Sequence, residues 1–444
     1  MTDPTTDPVI TFTQDPNMAL NLDLNIQEIL LAASTHNIPL LRRLIRENQT
    51  PGNPANVKDP ETGFTPLHAA IAACEESQEE EQQTNGVDTG ADGEGEGDTS
   101  AAAGVVETVK FLLGEGAIWN DLDLNDETPG CIARRLGLME VYEMIVDAGV
   151  RAELLLGRLE EGWEALGDGD DDDEDEEEEE RQQQQQQEEE EEEQQQEEAT
   201  AEATTEAATE AAVTQPRYLD SNLTFTNDRL LDSDQNGVMM SWESTIMEKS
   251  AAKLLPTPGL RVMNIGHGMG IVDTFLQSHG PSEHHIVEAH PEVVAEMKRK
   301  GWDQKPGVRI HEGRWQDVLP ALVGEGVVVD AIYYDTFAES YSDFREFFSE
   351  QVIGILEQDG ENGSGRWGFF NGMGADRQIS YDVYQKVVEM DLFEAGFDVE
   401  WEELEVPALE GEWEGVRRPY WRIEKYRLPV YIACDVSIYD ILLG

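Results

Sequence analysis

Between Gly167 and Ala212 the chain has no face to bury. Residues 168–212 carry 23 acidic residues against a single arginine, and most of the rest is Gln, Ala and Thr. Like charges extend such a stretch, and without an apolar stripe nothing offsets the entropy of ordering it. The chain is therefore expected to fold as two bodies, with residues 157–216 as an acidic, Gln-rich disordered linker between them. Its 444 residues also exceed what one hydrophobic core usually holds.

Acidity is not confined to the linker. Formal net charge is -64, and residues 217–444 alone hold 40 acids against 20 bases. Such a body repels phosphate backbones and attracts cations, so nucleic acid is disfavoured as a direct substrate and a basic protein is favoured as a partner. Cys74, Cys131 and Cys434 are far apart and lack C-x-x-C spacing, which supports neither a disulfide framework nor a zinc site. The start of the chain, MTDPTTDPVITF, has no basic or apolar leader character, and no run of 18 apolar residues occurs. The expected setting is free of membrane and reducing: cytoplasm and nucleus.

Before the linker, residues 1–17 read as a loose tail, and from Ile26 the apolar period becomes helical. IQEILLAASTHNIPLLRRLIREN gives two helices joined near His36, with Pro39 at a helix start. Next comes Thr65-Pro66-Leu67-His68-Ala69-Ala70, the T-P-L-H-x-A signature of an ankyrin repeat. In that setting the His68 imidazole is expected to tie turn backbone together. A second copy from Asp126 keeps Thr128-Pro129 but puts Gly130 and Cys131 where Leu and His belong. Residues 18–156 are thus expected to form an all-α ankyrin-repeat domain, interrupted by a disordered acidic insertion at 75–100. The repeat surface would serve protein docking.

After Gln215, strands and helices alternate: RVMNIG, HHIVEA, VRIHEG, VDAIYYDT and RWGFFNGM are each followed by helical patterning. That alternation predicts an α/β, doubly wound Rossmann-like sheet over residues 217–444, with ligands beyond the carboxyl ends of its strands. Gly266, Gly268 and Gly270 follow the first of these strands, and Glu288 ends the next. A dinucleotide site would carry a third glycine where Ile271 stands. G-x-G-x-G with a distant acid instead suggests S-adenosylmethionine, whose ribose hydroxyls the acid can bind.

Trp315 and Gln316 are placed to cover an adenine, although Trp315 can equally be a core aromatic. Asp335 ends the fourth strand, where it can touch the cofactor or merely cap a turn. Upstream, GVMMSWE reads as a lid helix, with Met239 against the cofactor and Glu243 as a second carboxylate. Two acids beside a methyl donor suit a guanidine nucleophile, since they can hold the cation and accept the proton it must lose.

VMMSWE, NIGHGMGI, VEAH, GRWQDV and YYDTF, in that order and spacing, resemble the set found in guanidinoacetate methyltransferase. They also resemble its fungal relative that joins ankyrin repeats to the same catalytic domain, the type IV protein arginine methyltransferase. The resemblance implies a class I methyltransferase domain that methylates the internal (δ) guanidino nitrogen of arginine in a basic protein, with precedent in a large-subunit ribosomal protein. It further implies S-adenosylmethionine contacts from Phe225, Met239, Gly266, His267, Gly268, Met269, Gly270, Ile271, Glu288, Ala289, His290, Trp315, Gln316 and Asp335, with Glu243 and Asp335 holding the guanidino group. The paired-glutamate loop and Thr-His-Trp segment of the ordinary ω-nitrogen enzymes are missing. Two other readings stay open: a methyltransferase for a small free guanidine, and an ankyrin adaptor whose transferase domain is inactive.

Overall fold

A computed structural model describes residues 16–47, 52–84, 98–164, 215–357 and 365–434. Most of the expected tail, residues 85–97 of the insertion and residues 165–214 of the linker lie outside the described residues. Within them the chain divides into two compact units.

The first unit contains helices α1 (Pro16–Ser34), α2 (Ile38–Glu47), α3 (Pro66–Thr84), α4 (Asp98–Gly114), α5 (Pro129–Arg135) and most of α6 (Met139–Glu164). α2 shows how the pattern works: Leu41 and Ile45, four residues apart, are buried while its arginines stay outside. α3 and α5 each begin at a proline that follows a threonine. Proline suits a first helical turn, where its missing N–H has no partner to lose.

At Thr65 the backbone N–H donates to His68 Nδ1 at 3.2 Å. That assigns the imidazole proton to Nε2, which reaches the Glu127 carbonyl at 3.1 Å and joins two turns 59 residues apart. Burial lowers the His68 pKa and keeps the ring neutral.

Three boundaries differ from expectation. α3 runs on to Thr84 and α4 begins at Asp98, so the ends of the insertion are helical; α6 continues to Glu164, past the expected linker start. The third difference is larger. Residues 372–388 and 421–423 belong to the first unit, not to one continuous C-terminal body. The Tyr142 hydroxyl donates to Asp382 at 2.5 Å, Lys386 pairs with Asp147 at 3.2 Å, and a β-carbon on Gly130 would lie 1.9 Å from Ile379 Cδ1. At Gly130, where the T-P-L-H pattern would put leucine, the returning chain fills the space.

The second unit opens with α7 (Gln215–Leu219) and an antiparallel sheet of β1 (Thr224–Phe225), β2 (Arg229–Leu231) and β3 (Gly237–Met240). Here GVMMSWE is a strand and a 3₁₀ turn leading into α8 (Ser244–Leu254), not a lid helix. Asp232 explains the difference, since its Oδ1 accepts from the Asp234 and Asn236 backbones and closes the β2–β3 turn.

The main sheet contains β4 (Arg261–Ile265), β5 (Glu283–Glu288), β6 (Val308–Glu312), β7 (Ala331–Tyr334) and β8 (Arg366–Phe369), ordered β6-β5-β4-β7-β8 and parallel throughout. Between successive strands lie α9 (Ile271–Ser278), α10 (Pro291–Arg299), α11 (Trp315–Gly324), and α12 (Tyr341–Glu346) with α13 (Val352–Ile355). A largely apolar β7, AIYY, is what a strand covered on both faces requires. α14 (Gln378–Glu394) follows, then β9 (Phe397–Glu405) and β10 (Lys425–Cys434), an antiparallel pair. Strand order reverses between β4 and β7. Their carboxyl ends form the switch point where such sheets bind ligands.

Candidate active site

The turn after β4 is built on three left-handed glycines. Gly266 (φ 90°), Gly268 (φ 53°) and Gly270 (φ 80°) adopt conformations that side chains disfavour. Each also has a steric reason: a β-carbon would meet the Asp335 carbonyl oxygen at 1.9 Å from Gly266, the Met239 thioether at 2.7 Å from Gly268, and the His267 ring at 2.7 Å from Gly270. Gly266 continues both neighbouring ladders, because its N–H bonds to Val287 while Asp335 N–H bonds to Ile265. The loop is thus wedged between the ends of β5 and β7.

Glu288, at the end of β5, binds this loop directly. Its Oε2 accepts from His267 N–H at 2.8 Å, and its Oε1 accepts from His290 N–H at 2.7 Å. Its Oε2 also accepts from Gly268 N–H at 3.4 Å, which leaves about one of a carboxylate's roughly four acceptor positions open to a ligand hydroxyl. Around it opens a cleft of about 570 Å³, counting the open space at its mouth, walled by Val238, Met239, Ile265, Gly266, Gly268, Glu288, Ala289, Trp315 and Asp335 among others.

Other expected contacts lie off this wall. The His267 ring turns inward to Asp273 at 2.6 Å, and the His290 ring caps α10 and reaches the Tyr218 carbonyl at 3.2 Å. Phe225, Met269 and Ile271 pack on the apolar core beneath, and Gly270 serves as the N-cap of α9. None of these residues lines the cleft.

Trp315 is a core aromatic that also reaches the cleft. It is buried edge-on against Phe347 and Tyr334. Its Nε1 donates to Glu339 at 2.9 Å, as Tyr334 hydroxyl does at 2.5 Å, with Gln316 Nε2 at 3.4 Å. Gln316 is not on the wall; its Oε1 is buried without a hydrogen-bond partner among the described residues. Glu339 was not anticipated. Its only signal in the sequence is its position four residues after Asp335, and Ala338 before it takes a left-handed φ of 62° to turn the chain there.

The two expected guanidinium-binding acids are placed differently: Asp335 lines the cleft, whereas Glu243 does not. Asp335 Oδ2 is shut from solvent and has no partner among the described residues. That burial, with the charge of Asp273, pushes its carboxyl up to about 7. Glu243 is buried behind β3, where burial first and the Asp335 charge second hold its carboxyl well above the usual range. Its Oε1 accepts from the Tyr420 hydroxyl. The Asp335 charge thus opposes ionisation of Glu243, a penalty that a cation beside the two would relieve.

S-adenosylmethionine suits this cleft. An apolar wall from Val238, Met239 and Ile265 meets the spare acceptor of Glu288, and the partnerless Asp335 oxygen can face a positive charge. A parallel sheet of this order, with a glycine turn and a strand-ending acid at its switch point, defines an S-adenosylmethionine-dependent methyltransferase.

Comparison narrows the class. The profile of the guanidinoacetate N-methyltransferase family matches residues 212–368. Protein arginine N-methyltransferase 2 of Aspergillus fumigatus is 69% identical over 416 residues, covering 92% of this chain and 96% of that protein. The protein of the same name from Neurospora crassa is 46% identical over 432 residues (91% and 95%), and that from Yarrowia lipolytica 38% over 380 residues (73% and 79%). The chain belongs to the protein arginine N-methyltransferase 2 family, enzymes that methylate arginine with S-adenosylmethionine.

Proposed function

We propose that the methyl group goes to the internal (δ) guanidino nitrogen of an arginine in a basic protein, a large-subunit ribosomal protein by family resemblance. The observation that carries this reading is that Glu243 is buried, that Asp335 has one carboxylate oxygen shut from solvent, and that both acids are held above the ordinary carboxylate range. A guanidinium offers parallel N–H groups to carboxylates, so two acids can fix which nitrogen faces the cleft. The cofactor supplies a sulfonium methyl group for in-line attack. Glu243 takes the terminal N–H groups, and Asp335, at the cleft wall, accepts the proton that the reacting nitrogen loses. A group whose pKa lies near neutrality is suited to that transfer. Correct placement of the nucleophile can itself supply several kcal/mol of the barrier, on the order of 7–11 in the best cases.

Two features support a protein substrate over a small free guanidine. The first unit is far larger than a small substrate needs, and its His68 imidazole ties turn backbone together, as expected of the T-P-L-H signature, so we read it as a short ankyrin-type stack that docks the substrate. Its exposed Leu124 lies near Asp121 and Asp126 in sequence, an apolar and acidic edge that fits a basic partner. We place the reaction in the cytoplasm and nucleus, where basic ribosomal proteins are made and assembled.

The test is mass spectrometry of a basic protein extract treated with enzyme and labelled donor. Fragments carrying the label on the internal nitrogen are expected; label on terminal nitrogens overturns the assignment. For docking, Leu124→Ser should raise KM for the protein substrate and leave KM for a short arginine peptide unchanged. Equal effects on both would remove the docking role.

A further inference from the structure

We propose that Tyr420 is a positioning residue for methyl transfer, donating its hydroxyl to Oε1 of Glu243 and so aiming the other carboxylate oxygen at the guanidinium. The inference rests on the reading of Glu243 and Asp335 as the guanidinium pair.

Tyr420 lies 52 residues past the end of the matched stretch at residue 368, in the segment that joins β9 to β10. That segment is fastened to the β2–β3 hairpin. Arg229 Nη1 donates to the Glu414 carbonyl at 2.7 Å, and Arg417 N–H donates to the Gln235 carbonyl at 2.7 Å. Trp413 stands edge-on to both Trp242 and Tyr420, at 6.4 and 4.9 Å between ring centres. Gly237 completes the seat: a β-carbon there would come within 2.9 Å of the Tyr420 ring. These contacts deliver one phenol to one carboxylate across 177 residues of chain.

The consequence is chemical. The groups acting on Glu243 are Asp335, Tyr420 and the Met240 backbone, which also hydrogen-bonds its carboxylate, while Glu243 in turn acts on Tyr333 of β7. Asp335 opposes ionisation of Glu243, whereas the hydrogen bond from Tyr420 favours it. Tyr420 stays a donor because burial and the neighbouring acids raise its own pKa well above the phenol range. Without that bond Glu243 would hold its proton to higher pH and rotate more freely, which weakens its grip on a cation.

The test compares Tyr420→Phe with the full-length enzyme, reading kcat/KM for an arginine substrate against pH and donor binding by calorimetry. Donor binding should not change, because Tyr420 is off the cleft wall. The acidic limb of the pH profile should move up by about one pH unit or more, the effect of losing a hydrogen bond to a charged group. Gly237→Ala, which pushes the ring aside and keeps the hydroxyl, should reproduce the shift and covers a failure of the first variant to fold. An unmoved limb in the variants that bind donor overturns the inference. Glu243→Gln separates the two readings: an active Glu243→Gln enzyme would instead sink the guanidinium pair itself.

Discussion

A β-carbon on Gly266 would lie 1.9 Å from the carbonyl oxygen of Asp335, so the glycine turn and the proposed proton acceptor are held together by backbone contact. On the proposed reading, cofactor and nucleophile sites therefore share one wall. Gly266→Ala must displace β7 or unwind the turn, and its φ of 90° adds strain. Donor affinity should fall at least tenfold, about 1.4 kcal/mol. Gly268→Ala meets only the flexible end of Met239 and should cost less. Calorimetric titration of the two variants with donor checks the order; equal losses would contradict the wedge.

Asp335 trades stability for function. Its folded pKa of about 7 lies above the ordinary 3.8, so the stability linked to its proton is fully present below pH 3.8 and is lost as pH rises through 7. Asp335→Asn removes the buried charge. Above pH 7 the variant should melt higher than the parent, by about 2–4 °C per kcal/mol recovered, and the gain should vanish below pH 4. Turnover should fall by at least about 100-fold. In the parent, kcat/KM should climb with pH as Asp335, near 7, and Glu243, also raised, lose their protons, and level off only when both are ionised. Melting scans at pH 4 and 8, with rates at both, decide this, and an active Asp335→Asn enzyme removes the residue from the mechanism.

In the first unit, Gly130 is where the chain returns. Gly130→Leu would restore the repeat pattern yet collide with Ile379, so it should destabilise by roughly 2–4 kcal/mol, as overpacked core sites do. Pairing it with Ile379→Ala should recover much of the loss. A double-mutant cycle in denaturant measures the coupling, and additive effects would place the two residues apart.

Much of the sheet could be read in advance because its strands are short, apolar and separated by helical periods; β4, β5 and β7 fall where RVMNIG, HHIVEA and AIYY suggest. The glycines were found for a partial reason. They were expected to admit a ligand, and the structure adds that each makes room for a neighbouring protein atom. What escaped depends on long-range contact. Residues 372–388 carry ordinary helical patterning, and only the altered Gly130 and Cys131 hinted that something occupies the repeat's usual space. Tyr420 sits in a loop without periodicity, and its link to Glu243 spans 177 residues, beyond any local signal. GVMMSWE misled because its apolar run suits strand or helix equally, and the Asp232 turn decides the matter.

The most direct test of the account is a crystal structure of the enzyme with demethylated donor and an arginine peptide. The account predicts the nucleoside between Glu288 and Met239, with the guanidinium held by Glu243 and Asp335 and its internal nitrogen turned toward the sulfur. A guanidinium bound away from these two carboxylates, or a terminal nitrogen facing the sulfur, would contradict it.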